Sequence, residues 1–127
     1  MTAQPLVLIV DDQPDIREVI KGGLEDRGFR VLCAADGCAM RYALATEPVD
    51  LVVLDMVLPD ESGTALAGVA RRRGVPVLLM SGNPEVLRGE ADLPGRCLAK
   101  PFRLSELAAA VEDALAGDRP AARLASA

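Results

Sequence analysis

The 127-residue chain is 50% hydrophobic and carries a formal net charge of −5 without a single histidine. That length suits one compact domain with a real core and is too short for two. The acidic balance argues against nucleic acid as a direct partner, and the lack of imidazole leaves carboxylates, hydroxyls, thiols and amines to carry any chemistry.

Met1 to Pro5 contains neither a basic nor an apolar stretch, and no apolar run approaches the length of a membrane span. A soluble, cytoplasmic protein is expected. The first apolar run, Leu6 to Val10, ends at Asp11-Asp12, and Ile16, Val19, Ile20 and Leu24 follow at helical spacing. Gly28 stands where that helix should stop, before a second run from Arg30 to Ala34. Leu51 to Leu54 leads into Asp55, Ser62 is placed to cap a third helix, and Gly74 to end it. Val75 to Met80 leads into Ser81. Asn83-Pro84 then reads as an N-cap with proline at the first helical position, opening a fourth helix that Gly89 interrupts and the turn cluster Asp92-Leu93-Pro94-Gly95 closes. Cys97 to Ala99 leads into Lys100, and Leu104, Leu107, Ala108, Val111 and Leu115 mark a fifth helix. Gly117 to Ala127 lacks periodicity and reads as a disordered tail, leaving residues 1–116 as the domain.

The apolar runs are continuous where half-exposed antiparallel strands would alternate, so they read as buried strands. Strand and helix alternate, and right-handed crossovers then give a parallel sheet with helices on both faces, a three-layer α/β domain. The cysteines, Cys33, Cys38 and Cys97, form no C-x-x-C pair and lie in apolar surroundings, which predicts buried thiols rather than disulfides or zinc ligands. Met40, Met56 and Met80 are expected to pack in the core or at its rim.

Polar residues stand where each of four runs ends: Asp11 and Asp12, Asp55, Ser81, and Lys100. Singly, each has an ordinary use as a turn residue or cap. In a parallel sheet, however, all carboxyl ends lie on one edge, where ligands bind. Three carboxylates there repel one another unless a cation is present, and an all-oxygen donor set suits Mg2+ (or Mn2+). With such a metal, Lys100 and the Ser81 hydroxyl would stabilise a transferring phosphoryl group, and Asp55, ending the central strand, is best placed as the nucleophile.

The stretches LVLIVDDQPDIREVI, DLVVLDMVLPDESG, PVLLMSG and LAKPF resemble the receiver domains of bacterial two-component response regulators, in order and with similar spacing, across roughly residues 6 to 116. That resemblance implies a flavodoxin-like (βα)5 fold with strand order 2-1-3-4-5. It implies Asp55 as phosphoacceptor, Asp12 as a direct and Asp11 as a largely water-mediated Mg2+ ligand, and the Val57 backbone carbonyl as a further one. Ser81 matches the switch hydroxyl and Lys100 the phosphoryl-pairing position. Pro59 and Gly63 match the turn after the acceptor, and the peptide between Lys100 and Pro101 is expected to be cis. Implied partners are a histidine kinase or histidine phosphotransfer protein and a downstream protein target, on a monomer or weak dimer that contacts neither nucleic acid nor membrane. The implied role is a signalling switch and not an enzyme, with a partner-binding surface around helix 4, strand 5 and helix 5. Cys97 departs from the family, which often has Tyr or Phe three residues before the lysine. Val57 and Asn83 occupy positions that in the family influence access of water to the phosphoryl group.

Alternatives are a receiver module of a larger hybrid histidine kinase, an interaction module that is never phosphorylated, and an Asp-dependent phosphohydrolase. Phosphohydrolases of the haloacid-dehalogenase type carry a second Asp two residues after the nucleophile; here that residue is Val57. Neither a G-x-x-x-x-G-K-[ST] nor a G-x-G-x-x-G segment is present for nucleotide binding.

Overall fold

In the computed structural model, which describes residues 4–82 and 96–117, the chain runs β1 (Leu6–Val10), α1 (Pro14–Asp26), β2 (Arg30–Ala34), α2 (Gly37–Thr46), β3 (Leu51–Asp55), α3 (Gly63–Arg72), β4 (Val77–Ser81), β5 (Arg96–Ala99) and α4 (Leu104–Gly117). All strand pairs are parallel, and the order across the sheet is β2-β1-β3-β4-β5. The helix expected after Asn83-Pro84 and the tail expected after Gly117 lie outside the described residues. The label α4 therefore belongs to the helix that the sequence presents as its fifth.

Side chains along the central strands point alternately to the two faces, as the pleat requires. Leu8, Val10, Val52, Leu54 and Leu79 pack with Met40 and Leu44 of α2 and Leu66, Ala67 and Ala70 of α3. Val7, Ile9, Leu51, Val53 and Leu78 pack on the other face with Ile20 and Leu24 of α1 and Leu107, Val111 and Ala114 of α4. A continuously apolar strand is thus one covered on both faces, and β1, β3 and β4 are buried throughout.

The outer strands depart from that expectation. β2 is exposed or half-buried over its first four residues and β5 is only partly covered, because each pairs with a neighbour on one side alone among the described residues. The cysteines follow suit: Cys33 on β2, Cys38 in the first turn of α2 and Cys97 on β5 are exposed, not buried. Partial burial still pushes the Cys33 thiol up, an effect that Lys21 and Arg17 oppose, so the thiol stays protonated. Val19 was expected on the apolar face of α1 but is 63% exposed, one position off the stripe formed by Ile20 and Leu24. Met40, Met56 and Met80 are buried, as expected.

The helix stops are as read from the sequence. Gly28 and Gly74 adopt φ of 93° and 74°, a left-handed conformation in which a Cβ is strained. The Ser62 hydroxyl accepts from the Ala65 amide at 3.2 Å to open α3.

Candidate functional site

Main-chain hydrogen bonds continue past the strand ends and put their following residues in register. The Asp11 amide donates to the Ala34 carbonyl at 3.1 Å, the Met56 amide to the Met80 carbonyl at 2.9 Å, and the Lys100 amide to the Ser81 carbonyl at 2.8 Å. Asp11, Asp12, Asp55, Ser81 and Lys100 consequently share the carboxyl edge of the sheet. Asp11, Asp55 and Ser81 are buried there, while Asp12 is exposed.

One carboxylate oxygen from each of Asp11, Asp12 and Asp55 lies within 4.8 Å of the others. The Lys100 ammonium reaches into the group, 3.2 Å from Asp55 Oδ2 and 3.4 Å from Asp11 Oδ2. Backbone amides orient the remaining oxygens: Gln13 donates to Asp11 Oδ1 at 2.9 Å and Val57 to Asp55 Oδ1 at 3.0 Å. Burial raises the Asp55 carboxyl above the ordinary carboxylate range, against the lowering effects of the Val57 amide and Lys100. Burial by itself would lower the Lys100 ammonium, but the charges of Asp55 and Asp11, with the hydrogen bonds to both, hold it above its usual value. Ionising Asp55 therefore carries a desolvation cost that the Lys100 ammonium does not fully offset. The cluster's compact, all-oxygen donor set fits a hard divalent cation.

Of the other positions singled out from sequence, Val57 carries an exposed side chain on the loop after Asp55. Gly63 packs directly against that loop; a Cβ there would stand 2.7 Å from Met56 Cα, so only glycine fits without moving the backbone. The Lys100-Pro101 peptide is cis. Cys97 pairs in register with Leu79. Asn83 lies outside the described residues.

Two features of the site escape a sequence reading. Arg17 Nη1 donates to the Asp11 carbonyl at 2.6 Å and clamps the loop that bears Asp11 and Asp12. A cation near a helix N-terminus opposes the helix dipole, and that misfit is the available signal that Arg17 has a partner elsewhere. Asp60 and Glu61 reach from the loop after Asp55 to α2; nothing local in the sequence marks a contact across so many residues.

The parallel order, the acidic cluster and the lysine define a receiver. The chain belongs to the response regulator receiver domain family, whose profile matches residues 7–112, and is a signalling domain of two-component systems. It is 38% identical over 107 residues to the transcriptional activator protein PfeR of Pseudomonas aeruginosa, covering 81% of this chain and 35% of PfeR. It is 33% identical over 126 residues to the transcriptional regulatory protein KdpE of Mycobacterium tuberculosis, covering 94% of this chain and 54% of KdpE. The chain thus spans between a third and just over half of these relatives. A solved structure, the signal receiver domain of an HD domain-containing protein from Pseudomonas fluorescens Pf-5, superposes with a TM-score of 0.83 at 28% identity, over 93% of this chain and 91% of that one. No helix among the described residues is long and apolar enough to cross a membrane.

Proposed function

We propose that the domain accepts a phosphoryl group on Asp55 from a phosphohistidine of a histidine kinase or histidine phosphotransfer protein. The observation that carries this reading is the placement of Asp55: buried, ending the central strand, with one oxygen fixed by the Val57 amide and the other 3.2 Å from Lys100. In the transfer, an Asp55 oxygen forms the bond to phosphorus as the bond from phosphorus to the donor imidazole breaks, and the released imidazole takes a proton from solvent. Lys100 stands ready to pair with the phosphoryl oxygens, and the Ser81 hydroxyl, at the end of β4, to donate to one of them. Mg2+ or Mn2+ held by Asp11, Asp12, Asp55 and the Val57 carbonyl would supply the positive charge that the carboxylates and the incoming phosphoryl oxygens both need.

A protein donor is favoured by an apolar hollow of about 570 Å³ that opens beside Lys100, between Ile16, Val19 and Ile20 of α1 and Pro101, Phe102 and Leu104. Exposed apolar surface next to an acceptor suits a partner that buries it during transfer. Residues 1–116 form the receiver unit, working in the cytoplasm. The phosphorylated state acts on a downstream protein through the segment from Ser81 to Arg96, β5 and α4.

The test is uptake from acetyl phosphate followed by intact mass. One phosphoryl adduct per chain is expected with Mg2+ and none with EDTA. Asp12→Ala should slow uptake by more than about a hundredfold, in keeping with the several kcal/mol that a bound cation contributes. Equal uptake in EDTA and Mg2+ would rule out the metal-dependent reading.

A further inference from the structure

The loop that follows Asp55 is held at both ends and also at its tip. At its ends, the Gly63 amide donates to the Met56 carbonyl at 3.3 Å and Val57 bridges to Ser62. At its tip, Asp60 lies over the start of α2. The first amides of a helix have no partner within the helix. Here the Asp36 side chain takes the Ala39 amide at 2.8 Å, and the Gly37 and Cys38 amides are left over. Asp60 takes both, Oδ1 from Gly37 at 3.0 Å and Oδ2 from Cys38 at 3.3 Å.

Glu61 adds a second tie one turn along, accepting from Arg41 Nη2 at 2.5 Å and Nε at 3.2 Å. The approach is close: a Cβ on Gly37 would stand 2.5 Å from Glu61 Oε2 and 3.3 Å from Asp60 Oδ2, so both carboxylates would have to shift to admit one. The hydrogen bond from the Gly37 amide, above all, holds the Asp60 carboxyl below the ordinary carboxylate range, so the tie is charged at neutral pH.

We propose that Asp60 is a positioning residue for the acceptor site: its carboxylate, seated across the first two amides of α2, fixes the loop that carries Val57 and thereby the setting of Asp55. This rests on Asp55 being the acceptor. Within that frame, a loop pinned before the donor arrives loses no further freedom on reaction, and transfer is sensitive to small displacements of the attacking oxygen.

Asp36 provides the matching control, because its side chain caps the same helix from the helix's own N-terminal side, by accepting from the Ala39 amide. Asp36→Ala and Asp60→Ala should each lower the unfolding midpoint as the loss of a cap does. Only Asp60→Ala should also speed hydrogen exchange at the Val57 amide, weaken Mg2+ binding measured by calorimetry, and slow uptake from acetyl phosphate, the last two by about tenfold. Asp60→Asn keeps one acceptor oxygen and should fall between. If Asp60→Ala leaves Val57 exchange and Mg2+ affinity at their wild-type values, or if Asp36→Ala disturbs them equally, Asp60 is merely a cap. Should the wild-type protein take up no phosphoryl group at all, the acceptor reading fails, and the Val57 exchange rates still decide whether Asp60 positions the loop.

Discussion

Asp55→Asn is expected to abolish phosphoryl uptake and, in metal-free buffer, to raise the unfolding midpoint by roughly 5 °C, or about 1 kcal/mol for a domain of this size. The two effects share one cause. Asn retains an oxygen to accept from the Val57 amide but offers no anionic nucleophile, and it removes one of the carboxylates crowded around Lys100. Burial raises the Asp55 carboxyl in the folded protein, so the fold holds that proton more tightly than the unfolded chain does. Its contribution to stability is complete below the unfolded value and is lost as pH rises through the folded one. The gain from Asn should therefore be largest at neutral pH and vanish near about pH 4. Excess Mg2+ should shrink the gap, because the wild-type cluster binds the cation more tightly. Thermal unfolding of both proteins across pH in EDTA is the measurement; a variant less stable than wild type at neutral pH would refute the carboxylate crowding.

Lys100→Met should act with the opposite sign. Removing the ammonium leaves Asp11 and Asp55 side by side without their ion-pair partner, and breaking a buried pair costs about 3 kcal/mol or more. The lower end applies, since the Lys100 side chain is 27% exposed and water screens part of the interaction. Lys100 is held above its usual value, so its contribution is fully present at neutral pH and is lost only above about pH 10. The same ammonium competes with a metal ion for those oxygens. Addition of Mg2+ should consequently raise the midpoint more in Lys100→Met than in wild type, even as the variant loses rapid phosphoryl uptake. Matching midpoints in EDTA would show that Lys100 does not balance the cluster.

Much of this was readable from the chain because a parallel sheet converts sequence order into spatial coincidence. Once Leu6–Val10, Leu51–Asp55 and Val77–Ser81 are strands covered on both faces, Asp11, Asp12, Asp55 and Ser81 have to meet at one edge, and Lys100 joins them from β5. The apolar pattern of a run does not by itself reveal whether it stands at the rim; the order 2-1-3-4-5, with the second and fifth strands outermost, comes from the family resemblance. Arg30–Ala34 is nearly as apolar as its neighbours, yet it borders the sheet, and Cys33 is exposed where burial was expected. Val19 illustrates the same limit on α1, since an apolar residue next to a stripe need not belong to it. Contacts made by distant loops are the least legible. Asp60 reads as an ordinary turn residue after Pro59, and its role at Gly37 and Cys38 emerges only when α2 and α3 pack side by side.

The acceptor itself can be located by chemistry that does not depend on any variant. Wild-type protein treated with acetyl phosphate and Mg2+, then reduced with borohydride, converts an acyl phosphate to a primary alcohol, and tandem mass spectrometry of the digest locates the altered residue. Homoserine at position 55, and at no other aspartate, is the expected result. Homoserine at position 11 or 12, or an adduct that resists reduction, would contradict Asp55 as the phosphoacceptor.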